Sequence, residues 1–179
     1  NTKTENWKSN RIDPENSLMF KNVYKAAFEK RVKRVIMASS IHVHNYLDWN
    51  GPGLISIDKE PDYDSPYAAH KISMEKLGTQ YAKQGLEVIC IRFGGIVSLD
   101  KRPWEGTGDR VLHLSIVGLT YSDCVELVRK CLDVKSVPNN FVIVYGVSDN
   151  KLRVHDYTNP FGWEPKDDAT VFYKIQPAR

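Results

Sequence analysis

The stretch Ser65-Pro-Tyr-Ala-Ala-His-Lys71 decides the fold, because it opens a long helix and carries a Tyr-x-x-x-Lys pair. Its first serine is a favourable N-cap, and the proline that follows suits the first helical position, where its missing N–H costs nothing. Apolar residues then recur at helical spacing, and Gly85 supplies a C-terminal stop. Residues four apart lie on one face of a helix, so the Tyr67 phenol and the Lys71 ammonium project together.

This pair has a chemical use as well as a place in a helix. A free tyrosine titrates near pH ~10, so its use as a base at neutral pH needs a pKa shift of about 3 units, roughly 4 kcal/mol. A neighbouring lysine cation favours the phenolate and supplies part of that shift. The same spacing also occurs by chance on ordinary amphipathic helices, so its meaning depends on the rest of the chain.

Size and composition limit the class of protein. The 179 residues suffice for one domain with a real core, and 41% hydrophobic with 26% charged residues excludes a disordered or membrane-spanning chain. The N-terminus has no signal-peptide shape, and the net charge of +3 is spread out, so neither a membrane nor a nucleic acid is an expected partner. The cysteines form no CxxC pair, which predicts buried reduced thiols in a cytoplasmic protein: Cys90, Cys124 and Cys131.

Three short apolar runs predict the buried strands of a parallel sheet: Val35–Ala38, Glu87–Arg92 and Phe141–Tyr145. Helices are predicted over residues 14–30 and 65–84, and a third helix is expected to be capped by Ser122 or Asp123. Residues 45–64 and the polar stretch Lys101–Arg110 are predicted loops. Strand, helix and strand in succession form a right-handed βαβ crossover, so the fold class is α/β.

Several ordered landmarks resemble the extended short-chain dehydrogenase/reductases, a family of sugar epimerases, dehydratases and dehydrogenases. The family's fourth helix and fifth strand are resembled by Asn16-x5-Asn22 followed by Val32-Lys-Arg-Val-Ile-Met-Ala-Ser-Ser40. Its strand-six loop is resembled by Arg92-Phe-Gly-Gly-Ile96. Tyr121-Ser-Asp123 and Phe161-Gly-Trp-Glu-Pro165 resemble its C-terminal landmarks. The resemblance implies the C-terminal part of a Rossmann-like, doubly wound parallel sheet. It divides the chain into a partial NAD-binding domain, residues 1–100, and a small substrate-binding portion, residues 101–179.

The resemblance implies a role for each matching residue. The catalytic residues would be Ser40, Tyr67 and Lys71, supported by Asn16 on the first helix. Lys71 would hold the cofactor ribose and lower the pKa of Tyr67. The implied cofactor is NAD, with NADP possible, and its binding residues would be Tyr67, Lys71, Phe93, Gly94 and Ile96.

Within that family, the hexuronate dehydrogenases are the most similar group, through Ala38-Ser-Ser-x-His42 and Phe161-Gly-Trp-x-Pro-Lys-Asp167. Ile41 stands where those enzymes carry an asparagine. The resemblance implies oxidation of a hexuronate at C1, with the sugar acid held by Ser40, His42 and Arg110. A guanidinium suits a carboxylate because of its bidentate fork, and Arg102 is the alternative to Arg110.

Two further expectations follow from the resemblance. The family's Gly-rich phosphate turn has no counterpart before Gly51, so this sequence is expected to be the C-terminal part of a longer protein or to work with another chain. A homodimer is implied, with an interface formed by helices 14–30 and 65–84.

Three function classes stay open: a sugar-acid dehydrogenase, a nucleotide-sugar epimerase or dehydratase, and a non-catalytic fragment. The short portion after Ile96 favours a small free sugar acid. His42 and His44 are too few ligands for a metal site, so no metal is expected. Ser40, His42 and Asp48 lack the Gly-x-Ser-x-Gly elbow of a hydrolase.

Overall fold

The structure, a computed structural model, describes residues 14–63, 65–97 and 108–169, with the backbone alone for residues 108–111. Its elements in chain order are α1 (Pro14–Glu29), β1 (Arg34–Ser40), α2 (Pro66–Ala82), β2 (Glu87–Phe93), β3 (Gly95–Val97), α3 (Gly108–Val117), β4 (Gly118–Thr120), α4 (Tyr121–Asp133) and β5 (Phe141–Gly146). Single turns of 3-10 helix lie at Ile41–Val43 and Pro138–Asn140.

A three-stranded parallel sheet in the order β1-β2-β5 lies at the centre of the described structure. Val35 pairs with Val88, and Ile91 pairs with Val144. Each predicted strand lies inside an observed one, so the predicted parallel sheet is confirmed. A second, two-stranded parallel sheet joins β3 to β4, which the sequence pattern did not predict.

Helices pack on both faces of the central sheet, as the doubly wound class requires. On one face α1 and α2 bury apolar residues against alternate strand positions; this core contains Tyr24, Met74, Val35, Val88 and Cys90. On the other face α4 packs over the intervening positions; this core contains Leu127, Cys131, Ile89, Ile91 and Val144. The fold class is therefore confirmed, while the division of the chain near residue 100 stays a prediction.

The ends of α2 follow the local sequence as predicted. The Ser65 side chain accepts a hydrogen bond from the Ala68 amide at 3.3 Å, and Pro66 begins the helix. After the helix, Gly85 has a φ of +100°, which lies in the left-handed region where glycine is favoured.

Two local predictions were wrong. Residues up to Arg110 were expected in a polar loop, but α3 begins at Gly108, so Arg110 lies on a helix. The cap of α4 is Thr120, whose Oγ1 accepts from the Asp123 amide at 3.2 Å, instead of Ser122 or Asp123. The Asp123 carboxylate is committed elsewhere, since it accepts from the Ser148 hydroxyl at 2.7 Å and from two backbone amides of the C-terminal segment.

These bonds of Asp123 join the two C-terminal landmarks of the sequence. The amides are those of Lys166 and Asp167, at 2.8 and 3.2 Å. Asp167 in turn accepts from the hydroxyls of Thr120 and Ser122. The segment is thus fixed to the start of α4, and Trp163 is buried in the core beneath it.

The long segment that follows β1 is predicted to be a loop and is one. In residues 45–63 the only strand pairing is an isolated parallel bridge between Ile55 and His155. Ile55 is fully buried in a third core, with Ile41, Tyr46, Val117 and Tyr145. The loop is therefore a packed cover on this end of the sheet.

All three cysteines are free thiols; Cys90 and Cys131 are buried as predicted, and Cys124 is half-buried. Within the described ranges no helix is both long and apolar enough to cross a membrane.

Replacement of Gly94 by alanine should destabilise the chain by about 3 kcal/mol, because overpacking against backbone cannot relax by a rotamer change. A Cβ atom at Gly94 would lie 2.0 Å from the Val117 carbonyl oxygen. The control is Gly95→Ala, whose Cβ would meet the flexible end of Leu114 at 3.1 Å. Urea unfolding of both variants measures the difference, and equal losses would contradict the close approach at Gly94.

Candidate active site

Ser40, Tyr67 and Lys71 meet at the carboxyl end of β1. Ser40 is the last residue of that strand, and Tyr67 lies in the first turn of α2, hydrogen-bonded to Ser40. The Lys71 Nζ lies 5.4 Å from the centroid of the Tyr67 ring and donates to the Ala38 carbonyl at 2.6 Å. The structure therefore brings three of the sequence-predicted residues into one cluster.

His42 lies on the same cluster. The Ser40 hydroxyl caps the 3-10 turn by accepting from the His42 amide at 3.3 Å. The His42 ring centroid is 6.2 Å from that of Tyr67 and 5.5 Å from that of Tyr46. Ile41, between Ser40 and His42, is only 2% exposed and belongs to the third core, so its side chain serves packing.

Burial dominates the titration of the pair. Burial raises the pKa of Tyr67 above its ordinary value, and the hydrogen bond with Ser40 only partly opposes this. Burial also lowers the pKa of Lys71, against the charge of Glu75 and the nearby Cys90. The net shift of the Tyr67 pKa is therefore upward, because desolvation of a phenolate outweighs the favourable hydrogen bond. The expected lowering of this pKa by Lys71 stays a prediction.

The other predicted site residues lie on the elements around this cluster or outside the described residues. Asn16 lies in the first turn of α1, whose Ser17 Oγ is 3.4 Å from His70 Nε2 on α2. Phe93 ends β2 and packs towards the α4 core. Gly94 bonds to Gly146 at 2.9 Å, and Ile96 is 49% exposed. The side chain of Arg110, and Arg102 altogether, lie outside the described residues.

A buried polar network beneath the site was not predicted. Glu75 of α2 forms a bidentate ion pair with Arg92 of β2, at 2.9 and 2.8 Å, with side chains only 6% and 3% exposed. Glu75 also accepts from the Ser39 hydroxyl at 2.5 Å. Arg92 donates to the Tyr145 hydroxyl at 3.3 Å, and Tyr145 bonds to His44 Nδ1 at 2.5 Å.

The chemistry of the partners fixes the direction of each bond. His44 Nε2 lies 2.9 Å from the Lys59 carbonyl, which can only accept, so Nε2 carries the hydrogen. Burial lowers the pKa of His44, which keeps the ring neutral and leaves Nδ1 an acceptor. The Tyr145 hydroxyl therefore accepts from Arg92 and donates to His44. Burial raises the pKa of Tyr145 to about 12, so this hydroxyl keeps its proton.

His155 is a second buried histidine next to the network. Its ring lies 4.7 Å from that of Tyr145 and 5.5 Å from that of Tyr46. Neither ring nitrogen has a hydrogen-bond partner in the described part of the chain, and burial lowers the pKa of His155 to about 3. The histidine is therefore held neutral inside an aromatic setting.

A sequence signal for part of the network exists. Arg92 is the last residue but one of a strand that is otherwise apolar after Glu87, and by strand alternation it shares the face of Val88 and Cys90, which pack against α1 and α2. A charge at such a position demands a buried partner. The identity of that partner, and the roles of Tyr145 and His44, depend on contacts between residues far apart in sequence.

No group of three His, Cys, Asp or Glu side chains in the described ranges is arranged to hold a metal ion.

The sequence pattern of the NAD dependent epimerase/dehydratase family matches residues 3–116, so the chain belongs to that family. Its doubly wound sheet and its Ser40–Tyr67–Lys71 cluster agree with the class indicated by the sequence.

Two relatives and one solved structure are similar to this chain. A uronate dehydrogenase from Pseudomonas putida is 31% identical over 163 residues, covering 88% of this chain and 56% of that protein. The L-arabinose 1-dehydrogenase (NAD(P)(+)) of Haloferax volcanii is 28% identical over 166 residues, covering 84% of this chain and 65% of that protein. A solved structure described as a mutated uronate dehydrogenase has a TM-score of 0.73 at 26% identity, covering 88% of this chain and 54% of that one. The chain thus spans about half to two thirds of these relatives.

Replacement of Glu75 by methionine should destabilise the chain by about 3 to 5 kcal/mol, because it leaves the Arg92 charge buried without its carboxylate. The matched control is Glu126→Met, which breaks the exposed pair with Arg129 and should leave the unfolding free energy nearly unchanged. The double variant Glu75→Met/Arg92→Met should regain part of the loss. Urea unfolding tests this, and similar effects of the two single variants would contradict the burial of the pair.

Protonation of His155 should couple stability to pH. The pKa is lowered in the folded chain, so the neutral ring stabilises the fold above the ordinary histidine pKa of about 6.5. This contribution is lost as pH falls from about 6.5 towards the folded value of about 3. In His155→Phe the slope of unfolding free energy against pH should be smaller by about 1.4 kcal/mol per unit in that window. Parallel slopes for wild type and variant would argue against a buried neutral His155.

Proposed function

We propose that this chain carries the catalytic residues of an NAD(P)-dependent dehydrogenase that oxidises a small sugar acid, a hexuronate, at C1. The observation that carries the proposal is the cluster of Ser40, Tyr67 and Lys71 at the carboxyl end of a parallel strand. Ligands of open α/β sheets bind at that end. The uronate dehydrogenase and L-arabinose 1-dehydrogenase relatives support the same reaction class.

The residues present fit the nicotinamide ribose of the cofactor. An ammonium has three N–H donors, and the Lys71 bond to the Ala38 carbonyl uses one of them. The other two are the donor set that a pair of ribose hydroxyls accepts, with Tyr67 on the same helix face. Phe93, Gly94 and Ile96 follow at the end of the neighbouring strand, where they would flank the nicotinamide. When bound, the nicotinamide ring takes up the hydride released from the sugar carbon.

Tyr67 would take the proton of the sugar C1 hydroxyl, and Ser40 would donate a hydrogen bond to the same oxygen. As the C1–H bond breaks with its electron pair, the C1–O bond becomes a carbonyl and the product of a hexuronate is a lactone. The pKa of Tyr67 is raised in this structure, so the positive charge of Lys71 is needed to favour the phenolate. Asn16, at the start of α1, would support this end of α2.

Two side chains are proposed to select the sugar acid. His42 lies beside Tyr67, and Arg110, whose backbone lies on α3, would supply a guanidinium suited to a carboxylate. A neutral aldose is the second candidate. It is favoured by Ile41, which is buried in the core at the position where hexuronate dehydrogenases carry a hydrogen-bonding asparagine.

We also propose a homodimer through helices 14–30 and 65–84 and a cytoplasmic location. The outer side of α1 supports the dimer, because it exposes Leu18, Met19 and Val23 by 60, 49 and 46%. The exposed positions of α2 are polar, so α1 would form the apolar part of the interface. The free thiols support a reducing compartment.

Replacement of Tyr67 by phenylalanine should lower kcat by at least about 100-fold, because general base catalysis is worth about that much. The assay is NADH formation by the protein that carries this chain, with glucuronate, galacturonate, L-arabinose and UDP-glucose as substrates. Tyr63→Phe, at a 54% exposed tyrosine, is the control and should keep wild-type activity.

Turnover of a uronate in preference to L-arabinose would support the hexuronate proposal, and the reverse preference would support the neutral aldose. Unchanged turnover in Tyr67→Phe would reject the assigned base. No turnover of any of the four substrates by the wild type would reject the dehydrogenase proposal itself.

A further inference from the structure

The buried network ties together the two elements that bear the candidate active site. Glu75 lies one turn after Lys71 and two turns after Tyr67, on the same helix. Its bonds to Ser39 on β1 and to Arg92 on β2 fix the rotation of α2 relative to the sheet. Because Ser39 immediately precedes Ser40, the same carboxylate also anchors the end of the strand that carries the site.

The turn that presents His42 is fixed from its other end by His44. His44 is the C-cap of the 3-10 turn, and its ring is fully buried between two partners. Nδ1 accepts from Tyr145 on β5, and Nε2 donates to the Lys59 carbonyl in the covering loop. The ring therefore joins the turn to the sheet through one nitrogen and to the loop through the other.

The Tyr145 hydroxyl connects the two halves of the buried network, the Glu75–Arg92 pair and His44. It accepts from Arg92, which holds α2 through Glu75, and it donates to His44, which holds the turn. A phenol suits this place because it offers one donor and acceptor capacity together at one oxygen. The Tyr145 ring also packs against the His155 ring in a tilted arrangement, with 4.7 Å between centroids, and lies 5.6 Å from the Arg92 guanidinium, so it has little freedom to move.

We propose that Tyr145 and His44 are positioning residues of the active site, which hold the turn of Ser40 and His42 in register with the helix of Tyr67 and Lys71. The proposal rests on the function proposed above. Neither residue touches the substrate; both act through the elements they join. A displacement of about 1 Å between catalytic groups is enough to lower turnover by about 100-fold, so a loss of this link should be visible in kcat.

The variants separate the two bonds of His44. In His44→Asn the amide oxygen replaces Nδ1, which keeps the bond to Tyr145 and removes the bond to Lys59. In His44→Gln the amide group reaches the position of Nε2, which keeps the bond to the loop and removes the bond to Tyr145. Tyr145→Phe removes the same link from the other side. The control Tyr157→Phe deletes a surface hydroxyl that bonds to Asp149 at 3.4 Å.

Each variant of the whole protein is measured for kcat and KM with the preferred sugar, and for the titration of Tyr67 by NMR of ring-labelled tyrosine. Tyr145→Phe and His44→Gln should lower kcat by about 10- to 100-fold with a smaller change in KM, and should shift the Tyr67 titration. His44→Asn should retain most of kcat, and Tyr157→Phe should match wild type in both measurements. Equal loss in His44→Asn and His44→Gln would indicate a role in stability alone and would overturn the proposal.

The NMR measurement keeps this proposal distinct from the proposed function. If the wild type oxidises none of the sugars but the Tyr67 titration shifts in Tyr145→Phe and His44→Gln and not in His44→Asn, the dehydrogenase proposal fails and the positioning role stands. If the wild type is active and Tyr145→Phe changes neither kcat nor the titration of Tyr67, the positioning role fails and the function stands.

Discussion

The buried ion pair between Glu75 and Arg92 is the constraint on which the rest of the site depends. Two charges with side chains 6% and 3% exposed are unfavourable unless each is fully bonded. Burial lowers the pKa of Arg92, but the bonds and charge of Glu75 outweigh this and hold the pKa above its ordinary value. The carboxylate also binds Ser39, so α2, β1 and β2 cannot move independently without breaking a charged bond. The pair thus gives the sheet and helix a single relative position, at a cost in desolvation that apolar residues would not incur.

The ion pair that stabilises the packing of α2 on the sheet lies next to the candidate catalytic side chains. Catalytic groups need to be held by side chains whose own positions are fixed, and α2 carries Tyr67 and Lys71 on the turns just before Glu75. On the sheet side, Ser40 and His42 follow directly after the strand that Glu75 anchors. The neighbouring cover of Tyr46, His155 and the loop packs this end of the sheet with rings and aliphatic side chains. Burial there raises the pKa of Tyr67, which makes the placement of the Lys71 charge important for the proposed proton transfer.

The local features of the fold were predictable from the sequence, and the long-range polar contacts were not. The strands, the Ser65 cap and the stop at Gly85 follow from apolar runs and local propensity. Helical spacing paired Tyr67 with Lys71, the family resemblance added Ser40, and the structure brings these three side chains together. The start of α3 was missed because the glycines and charges around Gly108 are typical of a loop. The cap at Thr120 was missed because the Asp123 carboxylate, the expected cap, bonds to a distant segment. The link from Arg92 through Tyr145 to His44 joins residues 53 and 101 positions apart. The periodicity of a single sequence does not indicate which residues so far apart in the chain are in contact.

The most direct test of this account is a titration of the protein with NADH, followed through the NMR signal of the Tyr67 ring. If the nicotinamide ribose binds beside Tyr67 and Lys71, as proposed, NADH should cause a saturable shift of the Tyr67 signal that is lost in Lys71→Met. NADH binding that leaves the Tyr67 signal unmoved, or the same shift in Lys71→Met, would contradict the assignment of this cluster as the dinucleotide and catalytic site.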